Sequence, residues 1–261
     1  LHKEYRRQRQ MCIRDSITSL TGCPLRMFVK TLLIIPAYNE EESLKRTIDA
    51  VRAEAPSVDF LVVNDGSQDG TERVCRENQY PFLDLATNLG LAGAFQTGLK
   101  YAYRHDYDCA IQFDADGQHL PKYIEELAQA TKIYDIAIGS RFIGRKKPHS
   151  LRMFGSDLIQ WAIKVTTGKT ITDPTSGMRA FNKRMIAYMA NGLNYGPEPD
   201  TVSYLIKRAG AKVVEVPVEM QERQAGESYL RPWSSAMYMM RMAISILFIQ
   251  FFRKKIDGDG R

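Results

Sequence analysis

The stretch AIQFDADGQHLP, residues 110–121, marks the end of a predicted buried strand and places acidic side chains there. An apolar run ending at Phe113 is followed by Asp114, Ala115 and Asp116, and the chain then turns at Gly117. Residues two apart on an extended segment face the same way, so both carboxylates can converge on one divalent cation. The alternative is an ordinary turn, because Asp and Gly both favour turns. This stretch alone leaves both interpretations open.

On both sides of this stretch, short β-rich segments alternate with segments of helical periodicity. The strand-like segments are 31–37, 60–65, 83–88, 109–116 and 135–142. This alternation predicts an α/β fold with a Rossmann-like, mostly parallel sheet that is flanked by helices. Ligands of such sheets bind at the carboxyl ends of the strands, which is where Asp65, Asp114 and Asp116 are expected.

The composition supports one large domain with appendages. The chain has 261 residues, of which 44% are hydrophobic and 25% charged. We predict a disordered or vector-like extension at 1–26, an α/β domain at 27–232, and a hydrophobic and basic helix and tail at 233–261. Much of the net charge of +6 lies in the first segment, and no nucleic-acid-binding motif occurs, so nucleic acid is not expected as a partner. The four cysteines lack metal-ligand spacing, which favours reduced thiols in the cytosol.

The alternation weakens after Arg141. We expect a basic loop, a helix at about 152–166, a loop at 167–181, a further helix, and a strand within 212–220. The segment 236–252 is rich in Met, Ile and Phe, but polar residues interrupt it before a run of 18 apolar residues is reached, so a membrane-spanning helix is not predicted. It remains open whether this segment is core, subunit interface or interfacial membrane anchor.

The ends of the first two predicted strands also carry polar residues. In VVNDGSQDGT, Asp65 can accept hydrogen bonds from a base or ribose, and Gly66 permits close approach of the backbone; a simple turn is the alternative. In PAYNEEESL, Asn39 is predicted as the N-cap of a helix with Glu40 in its first turn. Neither G-x-x-x-x-G-K-[ST] nor a strand-linked G-x-G-x-x-G occurs, so both standard phosphate-binding loops are missing.

Six segments together carry a family resemblance. They are LLIIPAYNEEESL, LVVNDGSQDGT, NLGLAGAFQTGL, IQFDADGQH, GSRF and DPTSGMRAF. In this order and spacing, over about residues 30–230, they resemble family 2 glycosyltransferases of the GT-A fold. Within that family the chain is similar to the polyprenyl-phosphate sugar transferases, the dolichol-phosphate-mannose-synthase-like group. The resemblance implies transfer of one hexose from a UDP- or GDP-linked sugar, with UDP favoured, to a polyprenyl phosphate with inversion, for cell-envelope glycan synthesis.

The resemblance also implies roles for individual residues. The nucleotide-binding residues would be Pro36, Tyr38, Glu40, Asp65 and Asp114, and the ligands of Mg²⁺ or Mn²⁺ would be Asp114, Asp116 and Gln118. The acceptor-binding residues would be Arg152, Ser156, Arg179 and Arg223. The candidate catalytic residues are Asp116, Arg141, Asp173, Glu198 and Asp200. For Asp173, Arg179, Glu198 and Asp200, a helix cap or an internal ion pair is the alternative role. A phosphate monoester is already anionic near pH 7, so a strong general base is not required.

The motif Q-x-x-R-W of processive members does not occur, which predicts a single transfer rather than polymerisation. We expect a cytoplasmic protein that lies peripherally at the inner face of the cell membrane, with a homo-oligomer or a small membrane protein as a further possible partner. The alternatives are transfer to a soluble or glycan acceptor, and a non-catalytic scaffold that binds nucleotide sugars.

Overall fold

The structure of the protein is a computed structural model that describes residues 29–145, 147, 151–192, 196–221 and 232–249. Within these ranges, the side chains of 151, 152, 232–236 and 249 are not described. The predicted extension at 1–26, the acceptor residue Arg223 and the end of the basic tail therefore lie outside the described residues.

The described chain forms one seven-stranded sheet. Its strands are β1 (Thr31–Ala37), β2 (Asp59–Asn64), β3 (Phe82–Asp84), β4 (Cys109–Gln112), β5 (Ile136–Ser140), β6 (Arg179–Asn182) and β7 (Val213–Pro217). Their order across the sheet is β3-β2-β1-β4-β6-β5-β7. All neighbours pair in parallel except β6, which is antiparallel to both β4 and β5. The prediction of a mostly parallel α/β sheet is confirmed.

Helices cover both faces of the sheet. They are α1 (Leu44–Glu54), α2 (Thr71–Glu77), α3 (Gly90–Arg104), α4 (Ile124–Ala130), α5 (Leu151–Thr167), α6 (Lys183–Asn191), α7 (Pro199–Arg208) and α8 (Pro232–Ile244). One apolar cluster joins the sheet to α3, α5, α6, α7 and α8, and a second joins it to α1, α2 and α4. β1 lies between the two clusters and six of its seven residues are buried, which explains its unbroken apolar sequence.

Two local predictions were wrong. The segment 167–181 was expected to be a loop throughout, but its last residues begin β6, which is inserted between two strands that are parallel to each other. β6 has only four residues, which is too short for an alternating pattern of apolar and polar residues to be recognised in the sequence. Asn39 is not a helix N-cap, because α1 begins only at Leu44; Asn39 has φ 55° and its Oδ1 accepts a hydrogen bond from the Gln68 N–H at 2.8 Å.

The C-terminal helix α8 continues into a short π-helix at Ser245–Ile249. Met239, Met242 and Ile246 are buried and belong to the core cluster, so this face of the segment is part of the domain. Met240 and Ile244 lie on the other face and are about half exposed. No helix among the described residues is long and apolar enough to span a membrane.

Candidate active site

The carboxyl ends of β1, β2 and β4 lie side by side, because these strands are neighbours and run in parallel. Asp114 and Asp116 follow the end of β4 and are both partly exposed, whereas Ala115 between them is buried. The Gln118 backbone N–H donates to Asp116 Oδ1 at 3.0 Å, which closes the turn. The two carboxylates that the sequence predicted for this edge are therefore at the rim of the sheet and within reach of solvent.

Two neighbours of Asp114 were missed by the sequence analysis. His119 is buried, and its Nδ1 accepts a hydrogen bond from the Asp114 backbone N–H at 3.2 Å. Gly177 lies so close that a Cβ on it would be 2.5 Å from Asp114 Oδ2. The sequence contains one indication of the first contact, because His119 closely follows the acidic motif. It contains no indication that Gly177, far along the chain, would lie next to Asp114.

The loops after β1 and β2 interlock beside this rim. The Asp65 carboxylate is buried and accepts a hydrogen bond from the Leu89 N–H at 2.7 Å through Oδ1. Gly66 has φ 66°, and a Cβ there would lie 2.7 Å from the Asn88 N, so only glycine fits. The Glu40 N–H donates to Thr71 Oγ1 at 2.9 Å. Pro36 and Tyr38, at the end of β1 and just after it, are each partly exposed.

Arg141 and Asp173 form a bidentate ion pair next to the carboxyl end of β5. Arg141 Nε lies 2.6 Å from Asp173 Oδ2 and Arg141 Nη2 lies 2.7 Å from Oδ1. Glu215 in β7 accepts hydrogen bonds from the Thr172 and Asp173 N–H groups at 2.7 and 2.8 Å, which fixes the loop that carries Asp173. The structure thus brings two predicted catalytic residues into direct contact with each other.

An open cleft of about 740 Å³ adjoins this pair. Its lining includes the cations Lys122, Arg141 and Arg145. Glu219 forms ion pairs with two of these cations: Oε2 lies 3.4 Å from Lys122 Nζ, and Oε1 lies 2.9 Å from Arg145 Nη2. All three of these side chains are at least half exposed. Such exposed ion pairs contribute little to stability, so the cations can exchange the Glu219 carboxylate for another anion.

The remaining predicted residues are placed deeper or elsewhere. Arg179 is buried, and its guanidinium donates to the carbonyl oxygens of Pro174 and Pro197. Burial lowers the pKa of this guanidinium. The Arg179 side chain therefore connects the loop that carries Pro174 with the loop that carries Pro197, because Nη1 and Nη2 each donate a hydrogen bond to one of these carbonyl oxygens.

Glu198 and Asp200 lie at the start of α7. Glu198 precedes the helix as its N-cap residue, and the Asp200 carboxylate accepts hydrogen bonds from the Thr201 N–H and from Ser245 Oγ, each at 2.7 Å. Burial and the nearby Glu198 carboxylate raise the pKa of Tyr238, on α8, to about 12. Asp200 thus connects α7 to the C-terminal segment, whereas Glu198 lies between α8 and the Arg179 region.

Two of the predicted acceptor-binding residues lie on α5. Ser156 is fully buried, and its hydroxyl has no hydrogen-bond partner in the structure. Arg152 lies in the first turn of the same helix, and its side chain is not described. Among the described residues no group of three or more His, Cys, Asp or Glu side chains is arranged as a metal site.

The comparisons with known proteins agree with this architecture. The model of the family described as "Glycosyl transferase family 2" matches residues 32–188, and the chain belongs to that family. It is therefore a glycosyltransferase.

Three curated relatives have names that describe lipid-phosphate sugar transfer. The undecaprenyl-phosphate mannosyltransferase of Micrococcus luteus is 34% identical over 77% of this chain and 87% of its own length. The polyprenol monophosphomannose synthase of Mycolicibacterium smegmatis is 31% identical over 76% and 80%. The UDP-N-acetylglucosamine–dolichyl-phosphate N-acetylglucosaminyltransferase of Methanococcus voltae is 30% identical over 72% and 84%. The resemblance to polyprenyl-phosphate sugar transferases is confirmed.

A solved structure supports the fold. Glucosyl-3-phosphoglycerate synthase from Mycobacterium tuberculosis, in complex with Mn²⁺, UDP and phosphoglyceric acid, superposes with a TM-score of 0.65. Its sequence is 17% identical, and the match covers 85% of this chain and 78% of that chain. At this identity the likeness establishes the shared fold.

Proposed function

We propose that this glycosyltransferase moves one hexose from a UDP-linked sugar to a polyprenyl phosphate, with inversion at the anomeric carbon. The observation that carries the proposal is the position of Asp114 and Asp116 at the end of β4, on the same sheet edge as Arg141 at the end of β5. An acidic site and a basic site at one edge suit a reaction between two phosphate-bearing substrates. The names of the relatives favour a lipid phosphate as acceptor.

The donor nucleotide would bind where the loops after β1 and β2 meet. Pro36, Tyr38 and Glu40 line one side, and the buried Asp65 lies on the other. Asp65 Oδ1 already accepts the Leu89 N–H, so the carboxylate is held in one orientation and its remaining acceptor capacity is available to a base or ribose. A fixed acceptor at a strand end is typical of nucleotide recognition in α/β sheets.

Mg²⁺ or Mn²⁺ would bind Asp114 and Asp116, with Gln118 beside them. The residues fit such a cation, because both carboxylates are partly exposed and hard divalent cations in nucleotide sites often take one or two carboxylates plus substrate phosphates and water. That ligand count also agrees with the absence of a larger cluster among the described side chains. When bound, the cation would offset negative charge on the departing diphosphate.

The acceptor phosphate would bind at the cleft beside Arg141, whose charged lining residues are three cations and the acids Glu54 and Glu219. Asp173 holds the Arg141 fork in place, and Lys122 and Arg145 offer further positive charge across the opening. Because Asp173 occupies Nε and Nη2 of Arg141, the phosphate would bind from the Nη1 side of the guanidinium, whose N–H groups suit phosphate oxygens. Arg152, Ser156 and Arg223 are assigned to the same acceptor by motif alone, and Arg179 would act by holding the loops that carry Pro174 and Pro197.

A strong base is not needed on the acceptor side. A phosphate monoester is already ionised near neutral pH, so its oxygen can attack the anomeric carbon without prior removal of a proton. Asp200 is engaged by Ser245 and the first turn of α7, which favours a structural role for it. Glu198 remains a candidate catalytic residue.

We assign the enzyme to the cytoplasmic face of the cell membrane as a peripheral protein. Residues 27–232 would form most of the catalytic domain, which the buried face of α8 completes. The exposed face of the segment from 233 onward would contribute the membrane-facing surface, or bind a second copy or a small membrane protein. The half-exposed apolar side chains of α8 support a surface that meets lipid, while its opposite face packs in the core.

The test uses radiolabelled UDP-glucose and UDP-N-acetylglucosamine with a short polyprenyl phosphate and Mg²⁺ or Mn²⁺. The expected result is label in the organic phase, dependent on both the lipid and the metal. Label found only in a water-soluble product would overturn the lipid acceptor. No label from any nucleotide sugar, with donor binding intact, would instead indicate a scaffold.

A further inference from the structure

The imidazole of His119 contacts Asp114 through both of its nitrogens. Nδ1 accepts a hydrogen bond from the Asp114 backbone N–H at 3.2 Å, and Nε2 lies 3.6 Å from Asp114 Oδ2. The ring packs edge-on against Phe113 with 5.3 Å between the ring centroids. Only 2% of the His119 side chain is exposed, whereas 35% of the Asp114 side chain is. The histidine thus lies behind the carboxylate, on the side away from solvent.

These contacts define which nitrogen faces the carboxylate as a donor. A backbone N–H can only donate, so Nδ1 of His119 is the acceptor and the ring hydrogen is on Nε2. At 3.6 Å, Nε2 and Asp114 Oδ2 are too far apart for a full hydrogen bond, but the N–H dipole still favours this position of the anionic oxygen. His119 therefore orders both the backbone and the side chain of Asp114.

Two other residues restrict the same carboxylate. Gln112 Nε2 donates to Asp114 Oδ1 at 3.2 Å, and the absent side chain of Gly177 leaves just enough room for Oδ2. Each carboxylate oxygen therefore has a neighbour on the protein side. The remaining, exposed side of the carboxylate is the one from which a cation would approach.

We propose that His119 is a positioning residue that holds Asp114 in the orientation in which it binds the divalent cation. The inference rests on the metal site of the proposed function and adds a residue that the motif assignment did not include. Partners that orient a ligating carboxylate typically change metal affinity about 10- to 100-fold when they are removed. His119 acts through Asp114 and from a buried position, so it is not assigned an acid–base role.

The test compares three substitutions at position 119. H119L introduces an apolar side chain of similar size that can neither accept nor donate a hydrogen bond. H119N can place an amide oxygen near the position of Nδ1 and so can restore the bond from the Asp114 N–H. H119Q keeps polarity but does not place an acceptor at that position, and it replaces H119L if the latter fails to fold.

The readout is the dissociation constant for Mn²⁺, measured with UDP present by electron paramagnetic resonance of free Mn²⁺ and without turnover. We expect H119L and H119Q to bind Mn²⁺ about 10- to 100-fold more weakly than the unaltered protein, and H119N, which restores the Nδ1 acceptor but not Nε2, to show a clearly smaller loss. At saturating Mn²⁺, the KM for the sugar donor should return close to its original value. A purely structural role would instead lower activity at every metal concentration.

The control is F113L, which alters packing against the same imidazole without removing a contact of its nitrogens. An unchanged Mn²⁺ affinity in H119L, or equal losses in H119N, H119L and F113L, would overturn the role of His119. Failure of the unaltered protein to bind Mn²⁺ with UDP would overturn the metal site itself. The two failures are therefore distinguishable.

Discussion

Arg141 donates three hydrogen bonds to the Asp173 carboxylate: two from the guanidinium nitrogens Nε and Nη2, and one from its backbone N–H to Oδ2 at 3.1 Å. The Asp173 side chain is fully buried, whereas 24% of the Arg141 side chain remains exposed. The arginine fork is thus held from the protein interior while one side faces the cleft. An arginine fixed in this way loses little conformational entropy when it binds a phosphate.

Removing Arg141 should destabilise the fold as well as weaken acceptor binding. In R141A the buried Asp173 carboxylate loses its partner, and we expect the free energy of unfolding to fall by about 3–5 kcal/mol in urea titrations. R145A removes an exposed ion pair with Glu219 and should cost less than about 1 kcal/mol. The double variant R141A/D173N should recover part of the loss; equal stability of R141A and R145A would contradict the buried pairing.

Replacing Asp116 by asparagine should remove turnover and leave the fold intact. Losing one of two carboxylate ligands should lower the rate on the order of a hundredfold or more. The check is label transfer to lipid, with circular dichroism as the measure of folding. D108N is the matched control, because Asp108 directly precedes β4 at the opposite end of the strand. Unchanged turnover in D116N would remove Asp116 from the metal site.

Adding one methyl group at Gly177 should weaken metal activation. In G177A the new Cβ would be 2.5 Å from Asp114 Oδ2 and 3.1 Å from His119 Cε1, so the carboxylate must move. We expect the Mn²⁺ concentration for half-maximal activity to rise about tenfold. G155A is the control, since its Cβ would crowd Cβ and Cγ of the buried Met239 on α8 and should lower stability without changing the Mn²⁺ dependence. The same Mn²⁺ dependence in both variants would contradict this contact.

The exposed side of α8 should contribute to lipid binding. Met240 and Ile244 are 48% and 51% exposed, so the double variant M240S/I244S should fold normally. We expect the fraction of protein that sediments with anionic liposomes to be several-fold lower for this variant than for the unaltered protein, because the burial of apolar side chains in the membrane interface drives such binding. I133S, at an equally exposed apolar residue outside α8, is the control. Equal sedimentation of the two variants would exclude α8 as the lipid-facing surface.

Asp135 should make stability depend on acidic pH. Burial alone would raise its pKa, but hydrogen bonds from Arg184, the Lys212 N–H and Asn182 lower the pKa from 3.8 to about 2. The folded-state pKa is depressed, so the stabilisation, about 2 kcal/mol, is present above about pH 4 and is lost as the pH falls toward 2. The free energy of unfolding, measured by urea titration, should differ less between pH 7 and pH 3 in D135N than in the unaltered protein. The control is D49N, which removes an exposed ion pair with Lys45 and should show the same pH dependence as the unaltered protein.

The sequence alone determined the α/β class and the edge of the sheet at which the candidate site lies. Strand and helix periods are local properties, and the unbroken apolar run of β1 predicted its bounds correctly. Since the carboxyl ends of parallel strands share one edge, the acids after β2 and β4 could be assigned to it without coordinates.

The tertiary structure alone decided which side chains meet at that edge. The ion pair of Arg141 with Asp173, the approach of Gly177 to Asp114 and the burial of Arg179 each join residues from separate loops. The insertion of the antiparallel β6 beside β4 brings the segment before it to the acidic rim. Such contacts depend on how segments that are distant in the sequence pack against each other, and local residue patterns do not predict that packing.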